Sequence, residues 1–166
     1  MFNYPPLLEQ YWLETARRLH PQQPLSAPVP LLEPAVQRLS DLFTKERPDR
    51  FEPYILSPAD ALAYGLFFFP PAFLKTQWVF AECCDAAGWT PPAGAPLKIL
   101  DLGAGTGATG FAVGAALTQK FPEHPFKVWA LDHSPESLRQ ADSIAQKLRS
   151  PLWPQGRWTV VPGDLM

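Results

Sequence analysis

The chain has 166 residues, with 14 Lys+Arg against 16 Asp+Glu, 46% apolar residues, 13% aromatic residues and two cysteines. That length supports one domain with a substantial core and is too short for two large ones. A net charge of −2 excludes a polybasic nucleic-acid arm as the main feature, and the aromatic content excludes global disorder.

Proline is the compositional outlier, at 21 residues against a usual share of about 5%. Fifteen of the prolines fall in residues 1–96 and six in 97–166, whereas five of the ten glycines crowd into 103–114. This change sets the expected organisation: a helical, proline-rich region over 1–96 and a second unit over 97–166. The N-terminus lacks a basic segment followed by an apolar one, so it is no signal peptide. The apolar run Leu66–Phe69 meets Pro70-Pro71 and is too short to cross a bilayer. A soluble cytoplasmic protein is expected.

Pro5 to Leu19 reads as an amphipathic helix with Leu8, Tyr11, Trp12, Thr15 and Leu19 on one face, stopped by Pro21. After a proline-rich connector, a second helix is expected from about Leu31 to Glu46, with Leu32, Val36, Leu39, Leu42 and Phe43 as its stripe. The charges from Lys45 to Arg50 read as a solvated helix end. Ser57-Pro58-Ala59-Asp60 has the residues of a helix start, with Ser57 as cap and Pro58 in the first turn. That helix is expected to end at Phe69-Pro70-Pro71, and another to run from Ala72 to Ala87 before Gly88. Its adjacent Cys83 and Cys84 read as core or half-buried thiols. Without further cysteines or histidines at ligand spacing they make no metal site.

Leu97 to Leu102 is a short apolar strand followed directly by Gly103-Ala104-Gly105-Thr106-Gly107 and a helical pattern over Ala108–Lys120. Glycines in this context permit a tight turn and a close approach of backbone to ligand. Phe126 to Leu131 reads as a second strand ending in Asp132, Ser134 caps a second helix, and Trp158 to Val161 is a third strand leading to Asp164. Asp101, Asp132 and Asp164 therefore fall at the carboxyl ends of successive parallel strands, where open α/β sheets bind ligands. Asp132 is placed to accept from a ribose diol. Asp101 suits a cationic ligand or orients the glycine turn. Gly103-x-Gly105-x-x-Ala108 also meets the relaxed dinucleotide pattern, but a pyrophosphate favours an apolar residue where Asp101 stands. S-adenosyl-L-methionine is therefore expected over NAD.

Residues Lys98 to Gly107 resemble the first motif of class I S-adenosylmethionine-dependent methyltransferases, and Ala130–Ser134 and Val161–Leu165 resemble their later acidic motifs. The resemblance covers about residues 97–166. It implies a Rossmann-like α/β fold, of which the first three strands are present, preceded by the helical region. It implies S-adenosylmethionine held by Asp101, Gly103, Ala104, Gly105, Thr106, Gly107, Asp132, His133, Asp164 and Leu165, with the glycines bordering the methionine moiety, Asp132 on the ribose and Asp164 on the adenine amino group. A narrower resemblance, carried by Ala63-Tyr64 and Phe69-Pro70-Pro71-Ala72-Phe73, is to methyltransferase-like proteins associated with the small ribosomal subunit. It implies ribosomal RNA or the small subunit as partner, with neither DNA nor membrane, and it leaves open a non-catalytic assembly factor. Many members carry an iron–sulfur site made by cysteines beyond the first motif, where this chain has none. An NAD-dependent oxidoreductase is the third alternative. The usual catalytic residues follow the fourth strand, so no catalytic residue is assigned. The chain reads as an N-terminal fragment, inactive alone, with one edge of its first strand unpaired. The helices of 59–87 are expected to roof the crevice, with Tyr64 and the Phe67–Phe73 segment closest.

Overall fold

A computed structural model describes residues 3–22, 28–45 and 54–163. Among these, helices α1 (Pro6–Leu19), α2 (Pro28–Thr44), α3 (Pro58–Ala63) and α4 (Phe69–Ala87) precede an alternation of β1 (Leu97–Leu102), α5 (Ala108–Lys120), β2 (Phe126–Asp132), α6 (Pro135–Leu152) and β3 (Gly156–Pro162). The strands form a parallel sheet in the order β1-β2-β3. The protein is thus an α/β fold with N-terminal helices, and no described helix is long and apolar enough to cross a membrane.

The N-terminal helices differ from expectation at one place. Instead of breaking at Phe69-Pro70-Pro71, the chain stays helical from Pro58 to Ala87 through one wide π-turn, Tyr64–Phe68. Pro70 and Pro71 follow the π-turn directly, at the opening positions of α4, where proline's fixed φ suits a helix. Ser57 caps α3 as its residue type predicts, its hydroxyl accepting from the Asp60 N–H at 3.1 Å. The expected stripes are buried at Leu8, Tyr11, Trp12 and Thr15 of α1 and at Leu32 and Leu39 of α2, but Leu19 and Phe43 are partly exposed. Gly65 lies against the Trp12 ring so closely that a Cβ there would fall 2.3 Å from it. Cys84 is buried, but Cys83 is exposed, because neighbours on a helix point in different directions.

Helices α5 and α6 pack on the sheet face that carries Ile99, Phe126 and Val128, around an aromatic group of Phe111, Trp153, Trp158 and Phe126. Gly114 allows the close approach of α5 to this group, since a Cβ would meet Trp158 at 3.0 Å and Phe126 at 3.1 Å. The opposite face, with Lys98, Leu100, Leu102 and Lys127, is exposed. β1 pairs only with β2 among the described residues. The side chains of Asp101, paired with Ala130, and of Asp132 both belong to the helix-covered face, at the carboxyl ends of adjacent strands.

Candidate functional site

The turn after β1 uses three glycines in the left-handed region: Gly103 at φ 67°, Gly105 at φ 54° and Gly107 at φ 88°. An L side chain is strained at each of these positions. The turn is fastened to β2 twice. Ala104 donates its N–H to the Leu131 carbonyl at 3.0 Å, and Gly105 donates its N–H to Asp132 Oδ2 at 2.8 Å. Gly107 donates to the Ala104 carbonyl at 2.8 Å and accepts, through its own carbonyl, from Phe111 N–H at 3.0 Å. It thereby closes the turn and starts α5.

Asp132 also accepts at Oδ1 from the Ser134 N–H at 2.7 Å. It thus joins the glycine turn to the start of α6, where the Ser134 hydroxyl accepts from Ser137 N–H. Each carboxylate oxygen keeps a second acceptor position, so these two bonds leave capacity for a diol. His133 Nδ1 lies 3.6 Å from Asp132 Oδ1, too far for a good hydrogen bond.

Asp101 is 7% exposed and accepts from the Gly110 N–H at 2.8 Å. Burial pushes its carboxyl above the usual carboxylate range, the Gly110 N–H pulls it back, and the charge of Asp132 pushes it up further. Among the described residues neither Asp101 nor Asp132 forms an ion pair with lysine or arginine. Two buried carboxylates with no lysine or arginine beside them are costly unless something else supplies positive charge.

The structure brings together Asp101, Gly103, Ala104, Gly105, Thr106, Gly107, Asp132 and His133. Asp164 and Leu165 lie outside the described residues. Of the turn, Gly103 is exposed and Ala104 to Gly107 are buried. The buried Thr106 Oγ1 and His133 Nε2 have no hydrogen-bond partner.

Sequence reasoning missed two participants. Gly110 supplies the hydrogen bond to Asp101 and leaves the room that bond needs, since a Cβ would lie 3.0 Å from Asp101 Oδ2. The available signal was a glycine one turn inside a helix that must lie against the preceding strand. Tyr54 is the second. Its hydroxyl oxygen would stand 3.0 Å from a Cβ on Gly105, and its ring lies 6.0 Å from that of Tyr64. Burial raises both phenols, with Tyr64 and then Asp132 adding to Tyr54, and Asp101 and then Asp132 adding to Tyr64. Tyr64 therefore lies by the strand ends as expected. Of the Phe67–Phe73 segment, Phe69 and Phe73 instead pack with Tyr4 and one another, and Phe69 with Trp12.

No protein-family model matches the chain, and no curated protein matches it either. The residues themselves carry the chemical argument. A glycine turn with positive φ angles, two unpartnered buried polar atoms and two adjacent carboxylates fit a small polar ligand that carries hydroxyl groups and a positive charge. No cluster of three or more metal-ligating side chains occurs among the described residues.

Proposed function

We propose that this site binds S-adenosyl-L-methionine and that the three parallel strands and their helices form a Rossmann-like unit of the class I methyltransferase type. The observation that carries the reading is the pair of buried carboxylates, Asp101 and Asp132, flanking the glycine turn without a lysine or arginine partner. A dinucleotide would bring its anionic pyrophosphate to the same turn beside Asp101, whereas Asp132 at the end of β2 suits the ribose of either cofactor. A sulfonium cofactor brings the positive charge the site lacks, and supplies an electrophilic methyl group when bound.

The chain's own residues do the holding. Asp132 accepts from ribose hydroxyls with its remaining acceptor positions while clamping Gly105, and Thr106 and His133 offer polar atoms at the same place. Asp101 contributes negative charge from a fixed position set by Gly110. Transfer to RNA, of the ribosome or its small subunit, is the proposed activity. Methyl transfer rests on in-line placement of the acceptor rather than on covalent chemistry from the protein.

A second reading, a non-catalytic assembly factor that keeps the pocket as structure, is favoured by Asp132 already spending two hydrogen bonds on the fold. Calorimetry separates the two. S-adenosylmethionine binding should weaken by about 1–3 kcal/mol in Asp132→Asn, which keeps an acceptor but leaves the ligand's hydroxyls underbonded. Equal affinity in wild type and variant would remove Asp132 from the site. Absence of binding to wild type would favour the structural role.

A further inference from the structure

Asp101, Asp132 and Thr106 are 7%, 3% and 0% exposed, yet they sit at strand ends, where an open sheet gives its residues to solvent or ligand. Part of what stands over them comes from the N-terminal region. The Tyr54 hydroxyl reaches the glycine turn at Gly105, and the Tyr64 ring tilts beside it at 40° between planes. We propose that Tyr54 and Tyr64 are ligand-contacting residues, an aromatic wall facing the two carboxylates across the site and presenting ring faces to an adenosyl sulfonium. The proposal deepens the reading above and rests on it.

Three features support it. The wall is held in place. Arg38 of α2 donates to the Tyr54 carbonyl at 2.9 Å and pairs with Asp60 at 2.5 Å. Asp60 in turn accepts from Leu56 N–H at 3.1 Å and from the Ser57 hydroxyl at 2.9 Å. Although burial opposes it, these bonds keep the Asp60 carboxyl below the usual range.

The wall is also built of rings that support one another. Phe43 lies edge-on to both Tyr54, at 5.3 Å, and Tyr64, at 6.3 Å, and Phe68 stacks on Tyr64 at 5.8 Å. Such a group presents a fixed surface, so a ligand orders little on binding.

Finally, the chemistry is complementary. Ring faces attract cations and stack on purines, and the carboxylates opposite supply the negative field. With their pKa values raised, both phenols stay neutral at physiological pH and add no charge of their own. The N-terminal helices are on this account part of the ligand site.

The test is titration calorimetry with S-adenosylmethionine on the full chain and on Tyr54→Ala, Tyr54→Phe and Tyr64→Ala, with thermal melts to confirm folding. Each alanine variant should bind about tenfold more weakly, and Tyr54→Phe, which keeps the ring, should stay within about threefold of wild type. Ligand should also slow amide exchange over residues 54–60. Wild-type binding with unchanged affinity in the alanine variants would overturn the proposal and leave the cofactor reading standing. Tighter binding by Tyr54→Ala would overturn it too, because the ring would then be a competitor. A folded Tyr54→Phe as weak as Tyr54→Ala would deny the ring its role. No binding by wild type would bring down the cofactor reading and this proposal together.

Discussion

Gly110→Ala is the sharpest probe of how the site is assembled. The added Cβ would lie 3.0 Å from Asp101 Oδ2 and 3.0 Å from Val128 Cγ1, about half an ångström inside comfortable contact on both sides. Neither neighbour yields easily. Val128 is 1% exposed and β-branched, and Asp101 is fixed by the N–H of residue 110 itself. Either α5 moves off the sheet, an overpacking cost of about 1–3 kcal/mol, or Asp101 turns away and forfeits a charged hydrogen bond of about 1.5–3 kcal/mol. Alanine's better helix propensity returns about 1 kcal/mol. The net expectation is a loss centred on about 1 kcal/mol and reaching about 2 kcal/mol, or roughly 2–8 °C in Tm for a chain of this size. Thermal melts should show it, while Thr109→Ala, at an exposed position on the same helix, stays within about 0.5 kcal/mol of wild type. A Gly110→Ala protein as stable as wild type would mean that α5 does not lie against Asp101 as described.

Two further outcomes follow from the same geometry. The Asp101 carboxyl is raised above its ordinary value, so its contribution to stability is full below the ordinary carboxylate range and is lost as pH rises through the raised value. Asp101→Asn, which keeps an acceptor for Gly110 N–H, should therefore raise Tm at neutral pH, with the gain shrinking near pH 3–4 as wild type becomes protonated; a loss of stability that is the same at both pH values would contradict this. β1 has one unpaired edge among the described residues, beside Leu100 and Leu102, which are 62% and 57% exposed. Sedimentation equilibrium should show concentration-dependent self-association that Leu100→Lys reduces, whereas a monomer at every concentration would show the edge to be protected.

Much of the α/β half is legible in the sequence because its signals are local. A parallel strand with one helix-covered face reads as a short apolar run, and Gly103, Gly105 and Gly107 announce a turn that only glycine forms easily. The Ser57 and Ser134 caps are equally local. What escapes is whatever depends on distant partners or on the context of a rule. Pro70 and Pro71 signal a break in isolation, but they are harmless in a first helical turn that follows a π-turn. The need for glycine at 110 arises from Asp101, nine residues earlier and across the strand–helix interface. Tyr54 belongs to no periodic stripe, and its place over Gly105 is set by Arg38 and Asp60 on two different helices. Cys83 and Cys84 share a helix and a residue type, yet helix phase exposes one and buries the other.

The central claim is that the carboxylate-flanked glycine turn takes a cationic nucleoside and rejects an anionic dinucleotide. Paired calorimetric titrations of the chain with S-adenosylmethionine and with NAD, in the same buffer and at low salt, test it most directly. The account predicts saturable binding of S-adenosylmethionine and none of NAD at matched concentrations. Binding of NAD without binding of S-adenosylmethionine would contradict it.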